Sequence, residues 1–172
     1  MKIRIVVGCT DSKSDPPASG LELGSYPRPA VEVGSVGKLC KAWVGRINNR
    51  PSDAVLRAPR DLYRGDHWSV ARSLIEGDRR PGTALDVDLW VASAGYGLVH
   101  VDEKIEAYQA TFSLRNPNSV SQRRGRDAVA DHQTWWEKVN GGRNRKGSIS
   151  SLAALAADDP HAPMLVALSP PY

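Results

Sequence analysis

The sequence of 172 residues has few cysteines, a single phenylalanine and no long apolar run. Its apolar runs fall well short of the ~20 residues that a membrane-spanning helix needs, which argues against a protein built on such helices. The two cysteines, Cys9 and Cys40, have neither metal-ligand spacing nor an extracellular context, so we expect both to be reduced thiols. The sequence therefore predicts no disulfide, no metal site and no cofactor.

Composition is otherwise that of an ordinary globular protein, with 24% charged and 41% hydrophobic residues. The N-terminal apolar run is too short and too charged for a secretory signal peptide, so we expect a cytoplasmic protein without membrane attachment. A chain of this length is expected to form one domain, spanning 1–172, that buries roughly 70% of the surface of its unfolded form. Because the chain stops soon after its last apolar run, we expect it to be truncated or to continue beyond residue 172.

Apolar patterning predicts an α/β protein in which strands and helices alternate. Unbroken β-favouring runs predict the strands, and apolar residues spaced at i, i+3, i+4 and i+7 predict the helices. Gly125 is expected to weaken the middle of the third helix. Strands separated by helices need crossover connections, which predicts a three-layer fold with a mostly parallel sheet. The predicted strands are 2–8, 54–56, 88–92 and a last strand after Pro163, and the predicted helices are 35–47, 66–76, 118–140 and 150–157.

Polar residues follow three of the predicted strands, at 9–13, 93–98 and 169–172. Ligands of parallel α/β sheets bind outside the carboxyl ends of the strands, where these three segments are expected to converge. The small residues and two glycines at 93–98 would let backbone amides approach a ligand closely. The sequence therefore predicts a site formed by three strand ends.

The first strand end offers a nucleophile. A thiolate at Cys9 beside Lys13 would have a lowered pKa and would add to an electrophilic carbon such as a nitrile. Asp11 and Ser12 would supply a base and a hydrogen-bond donor, with Thr10 beside them on the site wall. The alternative is structural: a small residue that fills the turn, an exposed lysine and two ordinary turn formers.

The second strand end offers a binding surface. The Ser93 hydroxyl, the amides of Gly95 and Gly97 and the Tyr96 ring are expected to grip a base or a phosphate. The alternative makes Tyr96 part of the core and the glycines simple turn residues. Asp102 and Tyr108 are candidates for general acid or base work. Tyr63 and Arg64, before a helix, are expected to bind a phosphate. Ser169 is expected to lie on the wall of the site.

A basic segment spans residues 115–146, with eight basic and three acidic residues, while the rest of the chain is nearly neutral. Such a segment on a neutral body predicts a polyanion such as nucleic acid as partner, and a solubilising helix face is the alternative. The residues expected to touch phosphates are Arg123, Arg124, Arg126, Arg143, Arg145 and Lys146.

Three motifs occur in an order that is typical of one superfamily. They are Cys9-Thr10-Asp11-Ser12-Lys13 after a strand, Asp61-Leu62-Tyr63-Arg64-Gly65 before a helix, and Ser93-Ala94-Gly95-Tyr96-Gly97-Leu98-Val99 followed by Asp102, Ile105 and Tyr108. With them the chain resembles the YaaA-like superfamily over roughly residues 2–112. That superfamily includes the YaaA peroxide-stress proteins, a bacterial and phage family of C-T-x-S-K proteins and, more distantly, the core of archaeosine synthase. Gly8 departs from the proline of archaeosine synthase, and the spacing from Ser12 to Lys13 departs from its Ser-x-x-Lys.

The resemblance implies a YaaA-like α/β fold, DNA or tRNA as partner and, in some branches, chemistry on a 7-cyano-7-deazaguanine base. The leading hypothesis is accordingly an enzyme that modifies a base of DNA or tRNA. One alternative is a hydrolase of the N-glycosidic bond in a nucleotide or modified DNA, in which Asp11 or Asp102 activates water. Another is a DNA-binding stress or defence module without catalysis, since kinship of fold is only analogy for function.

Overall fold

The computed structural model describes residues 2–27, 35–77, 86–144 and 149–169. These residues form four strands, five helices and one short 3₁₀ turn. The strands are β1 (Lys2–Gly8), β2 (Asp86–Ser93), β3 (Gly97–His100) and β4 (Met164–Ala167). The helices are α1 (Ser35–Asn48), α2 (Pro59–Leu62), α3 (Asp66–Gly77), α4 (Gly125–Gly142) and α5 (Leu152–Asp158).

The strands form one mixed sheet in the order β3-β2-β1-β4. β1 is parallel to both β2 and β4, whereas β3 returns antiparallel to β2. Helices pack on both faces of this sheet. The predicted α/β class with crossover connections is therefore confirmed, and two of the three strand pairings are parallel, which is compatible with three layers.

The two faces of the sheet bury alternate residues of the same strands, as the pleat requires. One face, which we call the closed face, carries Ile5 and Val7 of β1 with Leu89 and Val91 of β2, under α1, α3 and α4. The other, the open face, carries Val6, Trp90, Ala92 and Leu98 and packs against Leu155 of α5. The continuous apolar runs of β1 and β2 reflect cover on both faces.

Helix α1 follows its predicted spacing. Its six buried residues are Val36, Leu39, Cys40, Trp43, Val44 and Ile47, while Lys38 and Lys41 are exposed. Fully burying a side chain of this kind stabilises the fold by about 1.5 to 3 kcal/mol. The apolar stripe therefore fixes which side of α1 meets the closed face.

One predicted strand is absent, and one predicted helix begins later than expected. Residues 54–56 form no strand, because Val55 is 65% exposed and backbone pairing is limited to a single bridge between Arg57 and Ile105. Helix α4 begins at Gly125 instead of residue 118, so this glycine starts the helix and does not interrupt it. Before it, Asn116 and Ser119 bond to nearby backbone groups, which competes with helix formation.

Helices of the described ranges are all too short or too polar to cross a bilayer.

Candidate functional site

The loop after β1 is held against the segment between α2 and α3. The amide of Ser14 donates to the carbonyl of Leu62 at 2.8 Å, and the amide of Arg64 donates to the carbonyl of Ser12 at 2.9 Å. The hydroxyl of Thr10 lies 3.0 Å from the Arg64 carbonyl, within donating distance. These bonds bring Tyr63 next to the end of the first strand.

Lys13 lies half-buried between two aromatic rings. Its Nζ is 4.4 Å from the centre of the Tyr108 ring and 5.6 Å from that of Tyr63, and it donates to the Thr10 carbonyl at 2.9 Å. Burial lowers the pKa of Lys13, although the charges of Cys9 and Asp11 oppose that change. The amine therefore loses its proton more readily than an exposed lysine does.

A chain of hydroxyl groups runs beneath this amine. Tyr63 Oη lies 3.0 Å from Tyr108 Oη, which lies 2.7 Å from Ser93 Oγ. All three side chains are fully buried. Burial, with a further contribution from the charge of Cys9, raises the pKa of Tyr63, so its hydroxyl stays protonated. The chain links the ends of β1 and β2 through groups able to pass a proton.

Cys9 lies at the end of the first strand. It follows β1 directly, its amide donates to the Ala92 carbonyl at 3.0 Å, and its thiol is half-buried. Lys13 Nζ donates to the carbonyl of Thr10, the residue that follows Cys9, so the amine returns to this strand end. We name Cys9, Lys13, Tyr63, Ser93 and Tyr108 the tyrosine–lysine cluster.

The second thiol has a different environment. Cys40 is fully buried in α1, and burial raises its pKa to about 12. Neither cysteine forms a disulfide. Cys40 is therefore an unreactive core residue and provides an internal comparison for Cys9.

The turn between β2 and β3 is held by side chains of the neighbouring helices. The carbonyl oxygens of residues 94–96 accept hydrogen bonds from Trp135 Nε1 at 2.6 Å, Trp43 Nε1 at 2.8 Å and Arg143 Nη1 at 2.6 Å, in that order. A buried indole N–H needs a partner, and here the turn supplies it. Apolar spacing alone marks both tryptophans only as core residues, so their positioning role was missed in the sequence.

The glycines of this turn serve close packing inside the chain. A Cβ on Gly95 would lie under 3.0 Å from three carbons of the Tyr108 ring, and one on Gly97, which has φ of +70°, would meet the Asn140 amide. Tyr96 is 3% exposed and packs against Tyr108 on one side and the Arg143 guanidinium on another. Gly95, Tyr96 and Gly97 therefore pack against other parts of the chain, as in the alternative that makes Tyr96 a core residue and the glycines turn residues.

Two of the predicted site residues lie outside the cluster. Asp102 is exposed after β3, where it pairs with Arg60 and lies near His100. Because β3 runs antiparallel to β2, it carries Asp102 away from the edge where Ser93 lies. Ser169 lies at the same edge as Cys9, two residues after β4, but is exposed and has no hydrogen bond to the cluster within the described part of the chain.

Other predicted residues lie at the rim of the cluster. The side chains of Asp11 and Ser12 are exposed next to Lys13, and Asp11 acts on that lysine through its charge. The exposed Arg64 donates to the Tyr63 carbonyl at 2.9 Å. These three, with Thr10, leave polar groups at the surface beside the half-buried thiol.

The basic segment is only partly available to a partner. Arg123 is paired with Asp131 at 2.5 Å, and Arg143 is paired with Glu103 and is 7% exposed. Arg124 and Arg126 are exposed. Arg145 and Lys146 lie outside the described residues. Two of the six predicted phosphate contacts are therefore structural ion pairs.

The cluster combines a thiol, an amine and a chain of hydroxyls. A lysine with a lowered pKa can take the proton of a neighbouring thiol and deliver it to a developing anion, while the thiolate acts as nucleophile. The structure shows no group of three or more potential metal ligands among the residues it describes. The chemistry available to these side chains is covalent and acid–base.

Comparison of the chain with protein-family models, with curated proteins and with solved structures gives no match.

Proposed function

We propose that the tyrosine–lysine cluster is the catalytic centre of an enzyme that modifies a 7-deazaguanine-type base of DNA or tRNA. The observation that carries this proposal is the placement of the Lys13 amine over the buried ring of Tyr108, with its hydrogen bond to the carbonyl of Thr10, the residue after Cys9. Groups whose pKa is shifted by burial beside a charge partner are enriched at catalytic sites. The resemblance to the YaaA-like superfamily suggests the base.

The first chemical step is addition of the thiol to a nitrile carbon. Lys13 takes the proton of Cys9, the sulfur forms a bond to the carbon, and the proton is delivered to the nitrile nitrogen. The product is a thioimidate that contains every atom of both reactants, so no leaving group or oxidant is needed. Burial lowers the pKa of Lys13, so its amine is more readily free to take the proton of the thiol. For the same reason, the ammonium that results gives the proton up more readily than usual.

The buried hydroxyls act through Lys13 and Cys9. Tyr63, Ser93 and Tyr108 have no exposed surface, so a substrate at the strand ends meets the thiol and the rim residues first. The Tyr108 ring holds the amine in place, and attraction between an ammonium and a ring is worth about 0.5 to 2 kcal/mol, depending on its solvation. We therefore assign Tyr63, Ser93 and Tyr108 as positioning residues.

Intact-mass spectrometry of the full chain incubated with 7-cyano-7-deazaguanine tests the proposal. We expect an adduct of one base per chain, with a mass equal to the sum of the two reactants, and peptide mapping that places it on Cys9. Cys9→Ser is expected to abolish it. Cys40→Ser is the matched control and is expected to leave it unchanged, because that thiol is buried with a pKa of about 12.

Lys13→Gln separates catalysis from simple thiol reactivity. Loss of a positioned acid–base group is expected to slow adduct formation by about 10²-fold or more. An adduct that forms equally well with Lys13→Gln, or one on Cys40, would contradict the proposal. The same would follow if DNA carrying the modified base released the free base with Cys9→Ser still active, because that result supports the hydrolase alternative.

A further inference from the structure

A large cavity lies on the open face of the sheet, away from the tyrosine–lysine cluster. Its volume is about 710 Å³, within the range of about 300 to 1,000 Å³ that is typical of small-molecule sites. The floor is formed by Val6 of β1 and Ala92 of β2, and the walls by α4, α5 and the segment at 112–114. The cavity opens to solvent, since two of its wall residues, Leu114 and Val129, are exposed.

The cavity lining is apolar and contains three aromatic rings. The ring of Phe112 lies 5.0 Å from that of His132 and 6.5 Å from that of Trp136, in tilted arrangements. The small side chains of Ala92 on the floor and Ala128 on α4 also line the cavity and leave room beside the rings. Flat aromatic surfaces facing small residues favour a planar ligand, since rings gain from stacked or edge contacts.

Two arginines flank one of the lining residues of this cavity in the chain. Gly125, the first residue of α4, lines the cavity and is flanked in the chain by Arg124 and Arg126, both exposed. The ion pairs of the described residues include neither arginine, whereas the nearby Asp127 and Asp131 are both paired with Arg123. The acidic groups at this end are thus already engaged, and the local charge is complementary to an anion.

We propose that this cavity binds a planar aromatic carboxylate, with its ring system among Phe112, His132 and Trp136 and its carboxylate toward Arg124 and Arg126. The ring contacts and the apolar floor supply most of the affinity, because burial of apolar surface is the dominant favourable contribution. The arginines supply selectivity for negative charge. This site is separate from the proposed base-modification centre and does not depend on it.

Isothermal titration calorimetry of the full chain tests the charge requirement with three probes of one shape. These are 2-naphthoate, the neutral 2-naphthalenemethanol and the cationic 2-naphthylmethylamine. At low salt we expect the carboxylate to bind about 10-fold more tightly than the amine, with the alcohol between them. Equal affinities for the carboxylate and the amine would overturn the proposal.

The double variant Arg124→Gln/Arg126→Gln tests whether these two arginines attract the carboxylate. We expect it to weaken 2-naphthoate about 5- to 10-fold and to leave the neutral alcohol within about twofold, since surface charge contributes modestly. Lys41→Gln/Arg50→Gln makes the same change in net charge at exposed residues in and after α1 and is expected to have no effect on either probe. If both double variants weaken 2-naphthoate equally, the arginines do not form the site and the proposal fails.

Val129→Trp tests whether the probes bind inside the cavity. Val129 lines the cavity but is 55% exposed, so a larger side chain there is expected to block the opening while the chain stays folded. We expect at least about a 10-fold loss of affinity for all three probes, since the ligand loses its apolar contacts. Leu114→Trp, at a second exposed wall residue, is expected to act in the same way. Unchanged binding by both folded variants would show that the probes bind elsewhere and would overturn the proposal.

Discussion

The closed and open faces of the sheet differ in how completely the chain covers them. On the closed face, Trp43 and Trp135 are fully buried and both donate to the turn after β2. On the open face, Val6 and Ala92 form the floor of a cavity whose rim leaves Val129 exposed. Because adjacent residues of the same strands supply the two faces, an apolar run shows that both sides are covered but not how tightly.

The largest expected effect on the free energy of unfolding is at a glycine of the closed face. Gly95→Ala is expected to lower the free energy of unfolding by about 3 kcal/mol or more, because the new methyl would overlap the Tyr108 ring in a packed core. Urea denaturation measures the change.

Gly45→Ala is the matched control for this prediction. Nothing lies within 4 Å of a Cβ at that position in α1, so we expect stabilisation by about 0.5 to 1 kcal/mol. If both alanines change the free energy of unfolding by the same small amount, the closed face is looser than its geometry indicates.

Leucine truncations compare the two faces directly. Leu89→Ala removes a fully buried side chain of the closed face and should cost about 3 kcal/mol of stability, since the resulting space cannot collapse. Leu152→Ala shortens a half-buried wall of the cavity and should cost less than about 1 kcal/mol, because that wall already borders open space. Equal losses in thermal and urea unfolding would contradict this difference.

Two adjacent tryptophans of α4 differ in their surroundings. Trp135 is buried in the core of the closed face, whereas Trp136 lines the cavity. Trp135→Phe removes the donor to the Ala94 carbonyl and leaves that buried group unpaired, at a cost of about 2 kcal/mol. Trp136→Phe, at the cavity wall, removes no such bond among the described residues and should cost less than about 1 kcal/mol. The Cys9 adduct rate should fall only for Trp135→Phe, and a greater fall for Trp136→Phe would reverse the assignment of the two residues.

The smallest expected effect concerns the polar edge of the open face. Burial opposes ionisation of Asp88, but hydrogen bonds from Lys2 and Trp90 and the charge of His100 outweigh it, so the pKa of Asp88 lies below its ordinary value of 3.8. The ionised group therefore stabilises the fold above pH 3.8 and loses that contribution as the pH falls through the lowered pKa.

We expect Asp88→Asn to lower the free energy of unfolding near neutral pH and the difference from the natural chain to shrink below pH 4. Urea unfolding between pH 6 and about pH 2.5 measures it. Asp86→Asn, at an exposed residue of the same strand, is the control. A difference that grows in acid would show that the sign is wrong.

Local patterns predicted the elements whose neighbours in sequence determine them. The strand 2–8 and the helix at 35–47 appear with nearly the predicted bounds, because each has an unambiguous period. β3 was not predicted, since its four residues were read as part of a turn, and only pairing with β2 identifies them as a strand. The start of α4 was misplaced because Asn116 and Ser119 make local bonds that no periodicity reveals.

The candidate site was predictable in part for the same reason. Cys9, Lys13 and Ser93 were expected to converge because they follow neighbouring parallel strands. The structure pairs Cys9 with the residue before Ser93 and joins Lys13 and Ser93 through Tyr108. That Tyr63 and Tyr108 share a hydrogen bond depends on two loops 45 residues apart, and no local pattern encodes such a contact. Tyr96 is expected from the sequence to bind a ligand, and the structure adds that its ring is buried, which local sequence does not reveal.

The bonds that hold the turn after β2 join residues 41 and 52 positions apart in the chain. Contacts of such separation form late, because long loops must close before they are gained. We therefore expect the turn after Ser93 to be held in place only after α1 and α4 have docked on it. Chemical reactivity of the Cys9 thiol, followed during refolding, would then report the docking of α1 and α4.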